Sequence, residues 1–183
     1  MRIGKTLANS FIRNANILYN INMKNKLLSH FLTMLAGVVL ALIILAFIQP
    51  TLVNGDSMSP YLNDGDYLIM NEYAYKNADP EYGDVIVFKS DGKLLIKRVI
   101  GKPGDTIEIT DGSVYRNGEL IDDYVDIYTE PEVSTQLEYE EFFVLGDNRE
   151  VSLDSRFPDV GNVRKGTILG QAVLRLFPNF GII

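Results

Sequence analysis

The stretch FLTMLAGVVLALIILAFI, residues 31–48, separates a basic N-terminal segment, residues 1–30, from an acidic C-terminal part, residues 49–183. Its only polar side chain is that of Thr33, and as a helix it would span about 27 Å, close to the thickness of a bilayer's hydrocarbon layer. A cleaved targeting sequence is the alternative, but its apolar core usually has about 7 to 15 residues. No small-x-small cleavage pattern follows residue 48 either. We therefore predict one permanent transmembrane helix over residues 31–48.

Charge is distributed unequally around this stretch. The first 55 residues hold five of the 17 Lys and Arg side chains and none of the 24 Asp and Glu. By the positive-inside rule, residues 1–30 form a cytoplasmic basic tail and residues 49–183 lie outside, which predicts a single-pass protein of the cell membrane. An amphipathic helix on the membrane surface is the alternative for the tail. The acidic body would repel phosphate backbones, so we expect no nucleic-acid partner.

The residue inventory excludes several kinds of site. The chain has no cysteine, which rules out disulfides, thiolate metal sites and a cysteine nucleophile. Residues 117–148 hold ten acidic side chains and no basic one, but they lack the Asp-x-Asp-x-Asp-Gly spacing of a calcium loop. We interpret them as solvated strand edges and loops, and we expect neither a metal nor a cofactor.

The body after the anchor has the pattern of a mainly β protein. Short runs rich in branched and aromatic residues alternate with turn signals such as Asp-Gly and Asn-Gly. The predicted strands are 67–70, 84–88, 94–100, 106–109, 114–116, 142–145 and 172–176. This spacing predicts a single compact, barrel-like β-domain over residues 49–183. The apolar residues 177–183 would pack on that domain or touch the membrane surface.

Residues 54–62, NGDSMSPYL, have the composition of a tight turn that would expose the hydroxyl of Ser57. A serine hydroxyl becomes a good nucleophile only when a base removes its proton. The single histidine, His30, is predicted at the cytoplasmic edge of the anchor, a bilayer away from the turn. A Ser-His-Asp triad is therefore excluded.

A lysine can replace histidine if desolvation or a nearby positive charge lowers its pKa of about 10.4 by roughly three units. Lys97 lies in the apolar run KLLIKRVI, where strand alternation places it on the same face as Leu95 and Val99. Arg98 faces the other way and stays protonated, so it cannot act as a base. An ordinary edge-strand lysine that extends along its apolar neighbours is the alternative interpretation of Lys97.

Four segments, residues 55–60, 83–88, 97–105 and 146–156, resemble in order the sequence motifs of bacterial type I signal peptidases. Residues 161–163 and 168–170 are similar to that family's closing segment. The resemblance implies a serine endopeptidase that removes signal peptides from exported preproteins after small-x-small residues. It also implies the lipid bilayer and, by proximity, the secretion machinery as partners.

The resemblance also assigns roles to individual residues. It implies Ser57 as the nucleophile, Lys97 as the general base, and Ser152 as a residue that hydrogen-bonds the lysine amine. A polar and ionic framework would be formed by Asp147, Asn148, Asp154 and Arg156. For substrate binding we predict Met58 and the strand residues Val85, Ile86, Val87 and Phe88.

Two features of the sequence differ among members of the family. Some members carry a serine two residues before the nucleophile to help stabilise the oxyanion, whereas this sequence has Gly55, as the Gram-positive members do. We place the oxyanion site at Ser57 and Gly55, with the second donor unassigned. Some relatives also carry a large insertion after the lysine motif, whereas here only a small β-appendage, about residues 105–145, is expected.

Two other functions compete with this one. A self-cleaving repressor also uses a Ser/Lys dyad, but it would need a DNA-binding segment in place of the membrane anchor. A membrane-tethered module that has kept the fold without the activity is the second alternative. Both proposed dyad residues, Ser57 and Lys97, are present, which favours an enzyme.

Overall fold

The computed structural model describes residues 22–42, 49–121 and 128–183. The chain divides into two compact units, Met1–Ala46 and Phe47–Ile183. In the first unit one helix, α1 (Asn22–Leu42), is long and apolar enough to cross a membrane, by length and composition. Its side chains are exposed along its whole length, and they are mostly apolar.

Helix α1 overlaps the predicted transmembrane stretch, residues 31–48, and among the described residues it also includes residues 22–30. The predicted positions 43–48 lie outside the described residues. The helix extends back through polar positions because Lys and Leu are good helix formers, whereas the prediction followed apolar character alone. Thr33 does not interrupt it, since its hydroxyl donates to the carbonyl of Ser29 at 2.9 Å.

The described part of the second unit contains antiparallel strands and one short 3-10 helix, Lys165–Thr167. The strands are β1 (Gln49–Leu52), β2 (Tyr67–Asn71), β3 (Val85–Ser90), β4 (Lys93–Gly101), β5 (Thr106–Thr110), β6 (Ser113–Arg116), β7 (Glu119–Leu120), β8 (Val133–Gln136), β9 (Glu141–Leu145), β10 (Val163–Arg164), β11 (Ile168–Phe177) and β12 (Gly181–Ile182).

The strands form two sheets. The larger has the order β1-β2-β11-β3-β4-β9-β10, with β12 paired to β11. The smaller has the order β7-β6-β5-β8. Among the described residues the end strands β1 and β10 are not paired with each other, so the larger sheet is not closed into a barrel.

The mainly β prediction is confirmed, and each of the seven predicted strands is present with shifted ends. The missed strands are β1, β7, β8, β10 and β12, which have two to four residues each. β1 contains Pro50, which cannot donate to a ladder and is tolerated because β1 lies at the edge of its sheet. Short edge strands carry too few alternating residues for a pattern to be recognised.

Buried apolar side chains form three clusters in the second unit. One joins the two sheets and contains Ile100, Ile107, Ile109, Val114, Leu137, Phe143 and Leu145. A second contains Ile86, Phe88, Val99, Phe142, Val144 and Val163. The third, which we call the turn cluster, contains Val53, Met58, Leu62, Leu68, Val85 and Ala172. The turn cluster includes side chains from both sides of Ser57, so the core fixes the segment that carries this serine.

Candidate active site

Ser57 lies on a turn between β1 and β2 that is fastened at both ends. At its base, the amide of Val53 donates to the carbonyl of Asp66 at 2.9 Å. Within the turn, the amide of Leu62 donates to the carbonyl of Met58 at 2.8 Å. Met58 and Leu62 are each only 1% exposed. Their burial anchors the turn in the core. Ser57, which precedes Met58 on the same turn, stays half-buried.

Gly55, two residues before the serine, has a backbone φ of +87°, a left-handed conformation that glycine adopts without strain. Its N–H donates to Oδ1 of Asp64 at 2.7 Å. This corrects the prediction that placed Gly55 in the oxyanion site, because its amide is already bonded to a carboxylate. The amide of Ser57 is the predicted donor that remains.

Lys97 lies on β4, opposite Ile86 of β3, and is 2% exposed. Its Nζ donates to Ser57 Oγ at 2.7 Å and to the carbonyl of Ile96 at 2.8 Å. The alternative of an edge lysine extending to solvent does not describe this side chain. The two residues singled out from the sequence are in direct contact across 40 positions of the chain.

Burial lowers the pKa of Lys97 to about 8, while the carboxylates of Asp154 and Asp147 act in the opposite direction. Desolvation dominates because a buried ammonium loses its hydration shell, whereas the two carboxylates are already paired with arginines. An amine with a pKa near 8 is roughly half deprotonated at that pH. A lone pair is thus available on Nζ close to neutral pH.

The segment after β9 packs closely against the serine. The amide of Asn148 donates to the carbonyl of Ser57 at 3.1 Å. A side chain at Gly146 would meet both partners, since a Cβ there would lie 2.4 Å from that carbonyl oxygen and 2.1 Å from Ser152 Oγ. Only glycine therefore allows this approach.

Ser152 is buried, and its Oγ has no hydrogen-bond partner among the described residues. The predicted hydrogen bond from Ser152 to Lys97 is consequently not formed in this structure. The reason is that the contacts of the lysine amine are to Ser57 Oγ and the Ile96 carbonyl. A buried hydroxyl without a partner is costly, and such groups are often found where a reaction needs them.

Two ion pairs lie behind the dyad. Arg156 and Asp154 are buried and paired at 2.8 Å, and Asp154 also accepts the amide of Gly146 at 2.9 Å. Arg98 holds Asp147 through two hydrogen bonds of 2.8 and 2.7 Å. The predicted framework residues thus lie together, with Asn148 contributing its backbone.

A small cavity of about 110 Å³ opens beside the dyad. Its walls are formed by Thr51, Leu52, Val53, Asn54, Ser57, Met58, Val87, Leu94, Leu95, Ile96 and Lys97. A larger cavity, about 850 Å³, lies elsewhere, beside Tyr128 and Arg149, and neither Ser57 nor Lys97 lines it. Of these two cavities, the smaller is the one lined by Ser57 and Lys97.

The predicted substrate-binding residues divide into two groups. Met58 and Val87 line the cavity beside Ser57. Val85, Ile86 and Phe88 are fully buried in the core clusters and do not line it. β4 pairs with β9 only from Arg98 onward, so among the described residues positions 94–97 have one unpaired edge facing this cavity.

Comparison with known proteins identifies the family of the chain. Residues 26–177 match the family model described as signal peptidase, peptidase S26. The chain belongs to the S26 signal peptidase family. It is therefore a peptidase, a hydrolase, and its N-terminal apolar helix indicates association with a membrane.

Individual relatives of this S26 peptidase come from several bacteria. It is 34% identical over 157 residues to the probable signal peptidase I-2 of Synechocystis, covering 80% of this chain and 71% of that one. It is 32% identical over 179 residues to signal peptidase I of Bacillus licheniformis, covering 86% and 92%. For signal peptidase IB of Staphylococcus aureus the identity is 33% over 178 residues, covering 85% and 92%.

A crystal structure of a signal peptidase I from Enterococcus faecalis is similar to part of the chain. The TM-score is 0.45 at 28% sequence identity, and the match covers 52% of this chain and 97% of that one.

The sequence did not indicate several residues around Ser57 and Lys97 in this S26 peptidase. Asp64 bonds the amide of Gly55, and Arg175 bonds the carbonyl of Tyr61 at 2.9 Å. Arg175 and Tyr61 are 114 positions apart, so no local pattern could connect them. From the sequence, Arg98 is excluded as a base, and its ion pair with Asp147 is not predicted. Strand alternation predicts that the Arg98 side chain points away from Lys97. This was the one indication in the sequence that Arg98 contacts a different residue.

Proposed function

We propose that this chain is a membrane-anchored signal peptidase that cleaves signal peptides from exported preproteins after small-x-small residues, through a Ser57–Lys97 dyad. The observation that carries the proposal is the 2.7 Å contact between Lys97 Nζ and Ser57 Oγ, made by a lysine that is 2% exposed. That distance is short enough for direct proton transfer. Membership in the S26 family supports signal peptides as the substrate class.

In the first half of the reaction, neutral Lys97 takes the proton of the Ser57 hydroxyl as Oγ attacks the scissile carbonyl carbon. A bond forms between Oγ and that carbon, and the carbonyl oxygen becomes an oxyanion. The lysine, now an ammonium, returns its proton to the leaving nitrogen as the C–N bond breaks. The products are a free amine on the mature protein and an ester on Ser57.

In the second half, neutral Lys97 takes a proton from water, and the resulting hydroxide attacks the ester carbon. The bond between carbon and Oγ breaks, and Lys97 returns the proton to Ser57 Oγ. The signal peptide leaves as a carboxylic acid, and the enzyme is restored. These steps need no group beyond the dyad, water and the substrate.

The neighbouring residues support the dyad in this scheme. We assign the Ser57 amide as an oxyanion donor, because the amide of Gly55 is bonded to Asp64. The Ser152 hydroxyl is buried without a partner among the described residues, so it is available to bond the Lys97 amine once the Ser57 proton has moved. The Asp154–Arg156 pair keeps the segment behind Lys97 in place.

The cavity supports a preference for small side chains. Its volume of about 110 Å³ is below the roughly 300 Å³ at which pockets for drug-sized ligands begin. An extended peptide laid along the unpaired edge at residues 94–97 would gain main-chain hydrogen bonds and direct alternate side chains into the cavity. Alternate small residues match the small-x-small pattern.

The anchor supports a location at the membrane. Helix α1 is long and apolar enough to span a bilayer, and the basic front favours a cytoplasmic N-terminus with the second unit outside. A signal peptide spans the same bilayer as it emerges, so enzyme and cleavage site would meet at the same membrane surface. We therefore propose the lipid bilayer and, by proximity, the secretion machinery as partners.

The test is cleavage of a preprotein with an Ala-x-Ala site by the full chain in detergent micelles, with the cut mapped by mass spectrometry. We expect one cut after the second alanine, and none with Ser57→Ala or Lys97→Met. Lys89→Met, at an exposed position on β3, is the matched control and should cleave at the wild-type rate. Wild-type chain that leaves the preprotein intact would favour the non-catalytic module.

A further inference from the structure

Arg175, on β11, connects segments that lie far apart in the sequence. Its Nε donates to the carbonyl of Asn179 at 2.8 Å, and its Nη1 donates to the carbonyl of Tyr61 at 2.9 Å. The same Nη1 lies 3.3 Å from Oδ2 of Asp66. One guanidinium therefore joins the C-terminal turn to the turn that carries Ser57.

The surroundings of this guanidinium make the contacts strong. The Arg175 side chain is 23% exposed and that of Asp66 is 2% exposed. Hydrogen bonds from a charged donor are roughly twice as strong as neutral ones, and partial burial limits their screening. Asp66 Oδ2 also accepts the amide of Asn63 at 3.0 Å, so the carboxylate holds both the arginine and the end of the turn.

Tyr61 continues the connection toward the base. While its carbonyl is held by Arg175, its ring centroid lies 4.7 Å from the guanidinium carbon of Arg98. Arg98 is the neighbour of Lys97 on β4 and is fixed by two bonds to Asp147. A shift of Tyr61 would therefore move the end of the Ser57 turn relative to the strand that carries Lys97.

The C-terminal segment supplies an independent anchor at the same place. β12 pairs with β11 so that Gly181 lies opposite Arg175. The amide of Ile183 donates to the carbonyl of Val173 at 3.2 Å, and the Ile183 side chain packs against the turn cluster that contains Met58. The arginine thus holds the turn from a segment that is itself packed on the core.

We propose that Arg175 is a positioning residue for the cleavage reaction: through the Tyr61 carbonyl it holds the Ser57 turn in place relative to Lys97. This inference rests on the proposed Ser57–Lys97 function. A displacement of about 1 Å between reacting groups can cost on the order of 100-fold in rate. Loss of positioning appears in kcat, because the cavity that binds substrate is formed by other residues.

The experiment compares Arg175→Met with wild type in the full chain in detergent, with kcat and KM measured on the same preprotein. Near-UV circular dichroism gives the folded fraction at the assay temperature, so that kcat is expressed per folded molecule. We expect kcat to fall about tenfold or more, with KM within about twofold. Arg164→Met is the control, an exposed arginine whose carboxylate partner is 3.5 Å away, and its kcat should stay within about twofold.

Arg175→Lys provides a second variant that keeps the charge beside Asp66 but replaces the planar fork with a single ammonium. We expect it to fold and to have a kcat between those of Arg175→Met and wild type. A kcat per folded molecule within about twofold of wild type in Arg175→Met, or an Arg175→Lys kcat below that of Arg175→Met, would overturn the proposed role. Ser57→Ala that still cleaves would contradict the dyad instead, which separates the failure of the two proposals.

Discussion

The surroundings of Lys97 are set by its position on β4. The same strand carries Lys93, which is exposed, whereas Lys97 is buried against Ser57. Two lysines four positions apart on one strand face thus have different surroundings. Burial lowers the pKa of Lys97 to about 8, and this is the property that the proposed role as a base requires.

The lowered pKa predicts a specific pH dependence. Only the neutral amine can accept the Ser57 proton, so activity should rise with pH through a midpoint near the Lys97 pKa of about 8. Below that midpoint the rate should fall about tenfold for each pH unit. The measurement is kcat/KM for preprotein cleavage across this range. A rate that stays constant down to about pH 5 would exclude Lys97 as the base.

The close approach of the segment after β9 to Ser57 requires glycine at position 146. A Cβ there would lie 2.4 Å from the backbone oxygen of Ser57, so Gly146→Ala must displace the backbone around Ser57 or the segment after β9. We expect a loss of kcat on the order of 100-fold. Gly166→Ala is the matched control, because a Cβ at that position meets nothing within 4 Å. Full activity of Gly146→Ala would show that the close approach does not matter.

At the level of elements, the turn between β1 and β2 is held by hydrogen bonds to polar side chains as well as by its buried side chains. Met58 and Leu62 anchor it in the core, and the Asp64 carboxylate fixes the amide of Gly55 at 2.7 Å. A turn that holds a nucleophile must resist being pulled by its substrate. The Asp64 carboxylate adds a hydrogen bond to the backbone close to Ser57.

Variants at Asp64 test the hydrogen bond between its carboxylate and the amide of Gly55. Asp64→Ala should lower kcat and reduce the free energy of unfolding by about 1 kcal/mol, because the amide of Gly55 loses its partner. Asp64→Asn keeps an oxygen acceptor at the same position and should lie close to wild type in both. Urea unfolding and kcat give the two readouts. Asparagine proving as harmful as alanine would mean that charge, and not the hydrogen bond, is what the turn requires.

Strands with clear apolar runs were predictable from sequence, whereas the pairing of Ser57 with Lys97 followed from the resemblance to a known family. β3, β4 and β9 have runs of buried branched residues bounded by turns, and these are the strands around Lys97. The short edge strands were missed because two to four residues give no period. Arg175 was missed because its contact with Tyr61 arises from the path of the chain rather than from any local pattern.

In the whole molecule, basic, apolar and acidic residues predominate in successive parts of the sequence. The basic front and apolar helix α1 precede an acidic unit that contains the dyad. This order favours a cytoplasmic N-terminus. It would bring the dyad to the face of the membrane where signal peptides emerge.

The absence of cysteine from the sequence makes this orientation measurable. Ser10→Cys, in the predicted tail, and Ser134→Cys, at an exposed position on β8, each introduce a single thiol. A membrane-impermeant maleimide should label Ser134→Cys in intact cells and label Ser10→Cys only after lysis. The reverse labelling would show that the chain is inserted the other way round.

The Ser57–Lys97 dyad is tested most directly by the cleavage rates of Ser57→Ala, Lys97→Met and the double variant, each in the full chain and each checked for folding. Because the two side chains act as one unit, we predict that all three variants fall to the same background rate. A single variant that keeps wild-type cleavage, or losses that multiply in the double variant, would contradict the dyad.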